Sequence, residues 1–171
     1  MDSSQISQFF TAPWGNEVWG ITIGIIILCL GMALGGFFTR KKMPAPLVPF
    51  VIALPVIIPA FCSLFAIRGY EIRPGKLIVQ RTVWQETIPL SDLKSVEYKA
   101  EIMKKSYRTL ANGGVFGFIG NFSNKKLGAY RALVTDLNKT VILKFASHTL
   151  VVSPGQPEAF VLAAGAAAKT P

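Results

Sequence analysis

The chain is poor in the groups that carry most enzyme chemistry. Its 171 residues hold one histidine, His148, and two cysteines, Cys29 and Cys62. Both cysteines fall inside long apolar runs, so they report no redox compartment and form no metal pair. Acidic residues number 9 against 18 lysines and arginines. Asp92, Glu97, Glu101 and Asp136 are scattered, each with a turn or surface strand to account for it. No His, Cys, Asp and Glu cluster at metal-ligand spacing, and no nucleophile pairs with a base. His148 falls at a hairpin turn, where a lone histidine is ordinarily solvated. Gly114-x-x-Gly117-x-x-Gly120 lacks the strand before and helix after that a dinucleotide loop needs, and no Gly-Lys-Ser/Thr is present. No catalytic residue, metal or cofactor is expected.

Charge is missing altogether from two stretches, Val18–Thr39 and Met43–Ile67. About 22 residues at about 1.5 Å each reach about 33 Å, enough for a hydrocarbon core of about 30 Å. A buried soluble helix seldom runs so far without a charge. Basic residues are absent from positions 1–17, which argues against a cleavable signal peptide. Trp14 and Trp19 at one end, and Phe37, Phe38 and Arg40 at the other, suit the two interfaces of a membrane. The expectation is a tail (1–17), a two-helix transmembrane anchor (18–67) and one further domain (68–171).

Within the first span, Gly20, Gly24, Gly31 and Gly35 fall on one narrow helical stripe. Small residues four apart let backbones approach. The stripe would serve packing against the second span or, alternatively, a seam between copies. Pro46, Pro49, Pro55 and Pro59 make the second span irregular. Neither span holds an ionisable residue, so a proton or ion route has no carrier. This is the pattern of an anchor, not a transporter.

The formal net charge is +9. A tether, and the absence of a helix–turn–helix or RNA-binding signature, speak against nucleic acid. The basic turn Arg40-Lys41-Lys42 faces an N-terminal stretch without basic residues, which places the turn in the cytoplasm and the domain outside it. Arg68, Arg73, Lys76 and Arg81 beside the second span argue the other way.

From Arg68 onward the texture changes to strand. Alternation predicts strands at 70–73, 76–84, 85–90 and 93–100, then at 127–135, 140–146 and 149–152. Glu101–Lys126 reads as a polar, Gly-rich connection. Ser153-Pro154-Gly155-Gln156 has the form of a capping box opening a C-terminal helix with Phe160, Val161 and Ala164 on one face, its Ala-rich end frayed. About seven antiparallel strands and one closing helix predict a partly open barrel.

The most distinctive run is Gly113-Gly114-Val115-Phe116-Gly117-Phe118-Ile119-Gly120-Asn121-Phe122, followed by Asn124-Lys125-Lys126-Leu127-Gly128-Ala129-Tyr130-Arg131 and Thr135-Asp136. With Tyr70-Glu71-Ile72, Ile88-Pro89-Leu90-Ser91-Asp92-Leu93, Ser95-Val96-Glu97 and Ser153-Pro154, it resembles the bacterial pleckstrin-homology-like domains that follow two-span anchors. The likeness covers residues 68–163. It implies an α+β membrane protein of the bacterial inner membrane: a transmembrane hairpin, then a partly open β-barrel capped by a helix. It implies little about activity; the lack of a catalytic constellation is what makes a membrane-tethered binding or scaffold module, not an enzyme, the expectation. The phosphoinositide loop of eukaryotic relatives does not carry over, because Pro74-Gly75 is too short.

The candidate contact surface is the Gly–aromatic stretch with Phe116, Phe118 and Phe122, flanked by Lys104, Lys105, Arg108, Lys125, Lys126 and Arg131. Glycines there supply positive φ and close approach. The aromatic residues either cover one end of the barrel or dip into a bilayer or partner. The cations would meet an anionic lipid headgroup on the cytoplasmic side, or an acidic protein or polymer outside. The alternative function is a small subunit of a membrane complex, assembled through the glycine stripe, and homo-oligomers are compatible with it.

Overall fold

The structure, a computed structural model, describes residues 7–169. Positions 1–6 of the expected tail, and Thr170 and Pro171, lie outside the described residues. Among the described residues the order is β1 (Gln8–Thr11), α1 (Asn16–Thr39), α2 (Val48–Ser63), then β2 (Ile67–Arg73), β3 (Lys76–Arg81), β4 (Gln85–Pro89) and β5 (Leu93–Tyr98). There follow β6 (Tyr107–Gly113), β7 (Phe118–Asn124), β8 (Gly128–Val134), β9 (Val141–Phe145), β10 (Thr149–Val152) and α3 (Pro157–Ala167).

Both apolar helices are long and apolar enough to cross a membrane when their flanking 3-10 turns are counted, Asn16–Lys42 and Ala45–Ser63. α1 opens after Gly15 in extended conformation and carries Glu17 in its first turn, where the helix dipole favours an anion. The second helix is shorter than the apolar run that encodes it. Pro44 and Pro46 hold 43–47 out of regular α-helix, and the α-helical stretch starts at Val48 with Pro49 in its first turn. At its far end Ser63 Oγ donates to the Ala60 carbonyl (2.7 Å), taking up an acceptor of the last turn.

The close approach between the helices uses Gly36, where an added Cβ would stand 2.8 Å from Val51. Gly20, Gly24, Gly31 and Gly35 face open space, with nothing within 4 Å of a built Cβ. Packing against the second helix therefore does not fall on the expected stripe. The two faces differ because Gly36 follows the stripe by one residue, about 100° around the helix.

The strands form two open sheets, in the orders β1-β2-β3-β4 and β5-β9-β10-β8-β7-β6. The expectation was a partly open barrel of about seven antiparallel strands; the domain is β-rich and capped by a helix, but its strands form two sheets that do not close, and β10 runs parallel to β8. Three strands come from stretches read as irregular. β1 pairs with β2 through Gln8↔Ile72 and Thr11↔Gly69, a partner far along the chain that local pattern cannot announce. β6 and β7 form a hairpin where a loop was expected. β6 is an edge strand with exposed Tyr107, Arg108, Thr109 and Leu110, so it lacks the apolar alternation of a half-buried strand.

Period-two alternation sets the two cores. Leu133, Val141, Leu143 and Phe145 face inward with Tyr70, Leu77 and Val79 and with Phe160 and Ala164 of α3. Tyr130, Ala132, Val134 and Ile142 face outward, beneath Ile102 and Met103. The Phe160 ring meets Phe10 edge-on at 5.3 Å and is fully buried. α3 begins at Pro157 and stays helical to Ala167, so the alanines are not frayed. Its cap position is Gln156, without a side-chain cap bond.

Ser153 is not a cap because it does other work. Its Oγ accepts the Thr135 amide (2.7 Å) and the Asp136 amide (3.2 Å). The Tyr70 hydroxyl donates to the Leu133 carbonyl (2.7 Å) and accepts the Ser153 amide (3.2 Å). One fully buried network thus ties β2 of the first sheet to the ends of β8 and β10 in the second. Burial pushes the Tyr70 hydroxyl up to about 12 from 10.0, against hydrogen bonds to Ser153 and Thr135 that lower it.

Because the folded-state value is raised, the contribution is complete below about pH 10 and is lost as pH rises toward about 12. Tyr70→Phe should cost about 1 to 3 kcal/mol at neutral pH, since the Leu133 carbonyl and Ser153 amide lose a buried partner. The variant should also lose stability less steeply above about pH 10. Chemical denaturation followed by circular dichroism checks both, and parental stability at neutral pH would refute the network's role.

Candidate functional site

One pole of the strand domain meets the helix pair. Where α1 enters, the Gly15 amide donates to the Thr135 carbonyl at 2.8 Å. Where α2 leaves, Thr82 Oγ1 donates to the Ser63 carbonyl (3.1 Å) and Arg81 to the Phe65 carbonyl (3.2 Å). The β6–β7 loop also lies at this pole. The Phe116 amide donates to Thr22 Oγ1 at 3.0 Å, and Thr22 Oγ1 reaches the Gly114 carbonyl at 3.5 Å. Thr22 and Val18 are buried there although they belong to the first apolar helix.

This placement decides the aromatic candidates. Phe116 is buried at the helix pole, its ring 5.8 Å from Trp14, and it roofs a cleft of about 260 Å³ between α1 and α2 lined by Ile26, Cys29 and Pro59. Phe118 and Phe122 belong to the outer core, where Phe122 stacks on Tyr130 at 6.2 Å. The three rings therefore form no exposed surface that dips into a bilayer, and they do not share one barrel end. Gly114, Gly117, Gly120 and Gly128 do have positive φ. At Gly114 (φ 112°) a Cβ would also stand 2.6 Å from Ile21, so the bare backbone is what lets the loop touch α1. Phe116 itself sits at φ 60°, a conformation that bulky residues rarely adopt.

The basic candidates divide. Arg131 pairs with Glu86 of β4 at 2.5 Å, and Glu86 also binds Arg81 at 3.1 Å, so Arg131 is a cross-sheet tie. Arg108 folds its guanidinium back over Gly113, beside Phe118 and Leu137. Lys104, Lys105, Lys125 and Lys126 come together around a cleft of about 570 Å³ with Tyr107, Asn124 and Glu101. Lys104 Nζ lies 2.5 Å from Glu101 Oε1. The cleft occupies the other pole. β6 and β7 each run seven residues between the Phe116 loop and the lysine turns, so at about 3.4 Å per residue roughly 20 Å separates the two.

Sequence reasoning named the four lysines of this cleft but missed the side chains that hold their turns. Asn124 Oδ1 accepts the amides of Lys126 (3.0 Å) and Leu127 (2.8 Å), shaping the β7–β8 turn. Its Nδ2 donates to the Ile102 carbonyl (2.9 Å) and to Ser106 Oγ (3.0 Å), joining that turn to 101–106. Ser106 Oγ is held in turn by the Tyr130 hydroxyl at 2.6 Å. Burial pushes the Tyr130 hydroxyl up. Glu101 and Lys105, on the rim, take positive φ of 58° and 61°. The readable signal was Asn124 before two lysines and a glycine, the composition of a side-chain-supported turn. Away from the cleft, His148 is exposed and stacks on Phe145 at 4.5 Å.

Asn124→Ala removes four hydrogen bonds of a buried side chain and should destabilise the detergent-solubilised chain by about 2 kcal/mol or more. Lys125→Ala, one residue away and exposed, should stay within about 0.5 kcal/mol of the parent. Thermal and chemical unfolding distinguish them, and equal effects would mean that Asn124 does not organise the turns.

A family model described as a bacterial PH domain matches residues 68–165. Neither the curated proteins nor the solved structures contain a match. The match spans β2 through most of α3, more than half of the chain, and the chain belongs to the bacterial PH domain family.

Proposed function

We propose that the chain is a membrane-tethered binding module, without catalysis of its own, set in the bacterial inner membrane. The observation that carries this reading is the pair of long apolar helices held at one pole of a PH domain. Their side chains point outward, with Ile27 65%, Phe38 79% and Phe50 60% exposed. Exposing so continuous an apolar surface to water would cost about 25 cal/mol per Å², and a bilayer removes that cost. Trp14 and Trp19 (4.9 Å apart), and Phe65 with Trp84 (4.8 Å apart), stand at the helix pole, where a headgroup layer would lie.

The tether makes the domain a fixture of the surface and leaves the pole opposite the helices to meet a partner. In this reading the basic turn Arg40–Lys42 lies in the cytoplasm and the domain across the membrane from it. Arg73 and Arg81, on the domain side, are engaged by Glu71 and Glu86 and have a folding role instead.

A second reading, a structural subunit assembled through α1, is favoured by the open face at Gly20, Gly24, Gly31 and Gly35. Gly24→Leu with Gly31→Leu should then abolish cross-linked species in membranes. Unchanged cross-linking removes this reading and leaves the first intact.

The tether predicts that the chain sediments with membranes and resists alkaline carbonate. All three tryptophans, Trp14, Trp19 and Trp84, should be quenched by lipids brominated near the headgroup. Protease added to intact spheroplasts should remove the C-terminal domain. A chain that stays in the supernatant overturns the anchor, and a protected domain reverses the orientation.

A further inference from the structure

We propose that the lysine cleft is a binding site for a ligand that carries several phosphate groups on one flexible chain. This deepens the reading of the chain as a binding module and rests on it. Four lysines, 104, 105, 125 and 126, and one carboxylate, Glu101, line the cleft, leaving three positive charges in excess. No arginine or histidine lines it. Ammonium groups are point charges with rotatable donors and suit phosphate, whereas planar, bidentate recognition of carboxylate selects arginine. At about 570 Å³ the space exceeds what a single phosphate fills and lies within the range of small-ligand sites.

The site is built, not incidental. Lys104 and Lys105 come from the turn before β6, and Lys125 and Lys126 from the turn after β7. Buried Asn124 bonds both turns and fixes their separation. The charged ends remain exposed while the backbone beneath them is held. Tyr107, also exposed, adds the one aromatic face of the lining. A single-stranded nucleic acid would call for a succession of such faces for its bases.

Position excludes the nearest source of phosphate. The cleft stands roughly 20 Å along β6 and β7 from the loop that touches α1. That is more than two Debye lengths at physiological salt, about 8 Å each. We therefore assign the ligand to solution or to a neighbouring polymer, not to headgroups of the bilayer that holds the helices.

The test uses the full chain in lipid nanodiscs and inorganic tripolyphosphate as the probe, followed by titration calorimetry at low salt. Saturable binding is expected, weakened at least about tenfold by Lys125→Glu with Lys126→Glu. The same charge change at Lys94 and Lys144, both exposed and outside the cleft, should leave affinity within about twofold. Glu101→Gln releases Lys104 and should tighten binding. Absence of binding by a folded chain, or equal weakening by both double variants, overturns the site. Loss of tripolyphosphate binding in nanodiscs of anionic lipid would assign the cleft to headgroups, and tighter binding of a single-stranded oligonucleotide would assign it to nucleic acid; either overturns the proposal. A chain that fails here yet still sediments with membranes leaves the tether untouched.

Discussion

The fold depends on a joint between a threonine and a loop. Thr22 lies within the long apolar stretch of α1, yet its hydroxyl is spent on the backbone of Gly114 and Phe116. Around it, Val18 is fully buried and Gly15 bonds Thr135. The first turns of α1 are thus part of the domain's packing. An uncharged helix attached only by a flexible linker would leave the domain free to tumble. Here its axis is set by hydrogen bonds on two sides of the entry point, and α2 is fixed by Thr82 and Arg81 at the other.

A second tier of order follows from that joint. The Tyr70 and Ser153 network binds the two sheets at the same pole, within reach of Thr135, the residue that holds Gly15. Buried polar groups in such a network are costly unless all are satisfied. Here the hydroxyls of Tyr70 and Ser153 are satisfied where helix pair, first sheet and second sheet meet. At the opposite pole a smaller buried network, Asn124 with Ser106 and Tyr130, holds the backbone, and there the lysines remain exposed above it.

How much of this was legible follows from the range of each interaction. The apolar helices read clearly because their signal is local and uniform. Strands β2 to β5 and β8 to β10 read well because Leu77, Val79, Val141 and Leu143 alternate with outward residues against a single inner core. The β6–β7 hairpin did not, since its glycines and exposed polar residues imitate a loop while its partner strands supply the order. Ser153 looked like a helix cap because Ser-Pro-x-Gln satisfies the local rule. Its actual partners, Tyr70 and Thr135, are distant in sequence. At the candidate site, individual cations were visible, but which of them converge was not. Glu86 removes Arg131 from the group, and only the pairing of β6 with β7 brings the two lysine turns together.

Strand β1 carries an implication of its own for biogenesis. Gln8 pairs with Ile72, so a segment made before both helices finds its place only after they have been synthesised. Until then Phe10, whose ring packs on Phe160 near the far end of the chain, has no partner. Closing so long a loop costs little extra entropy per added residue, but it imposes a sequence of events. The ribosome must release the helical hairpin, β2 and finally α3 before the opening residues can settle. Strand β1 thus completes its ladder only once β2 is available, and its core contact only once α3 is.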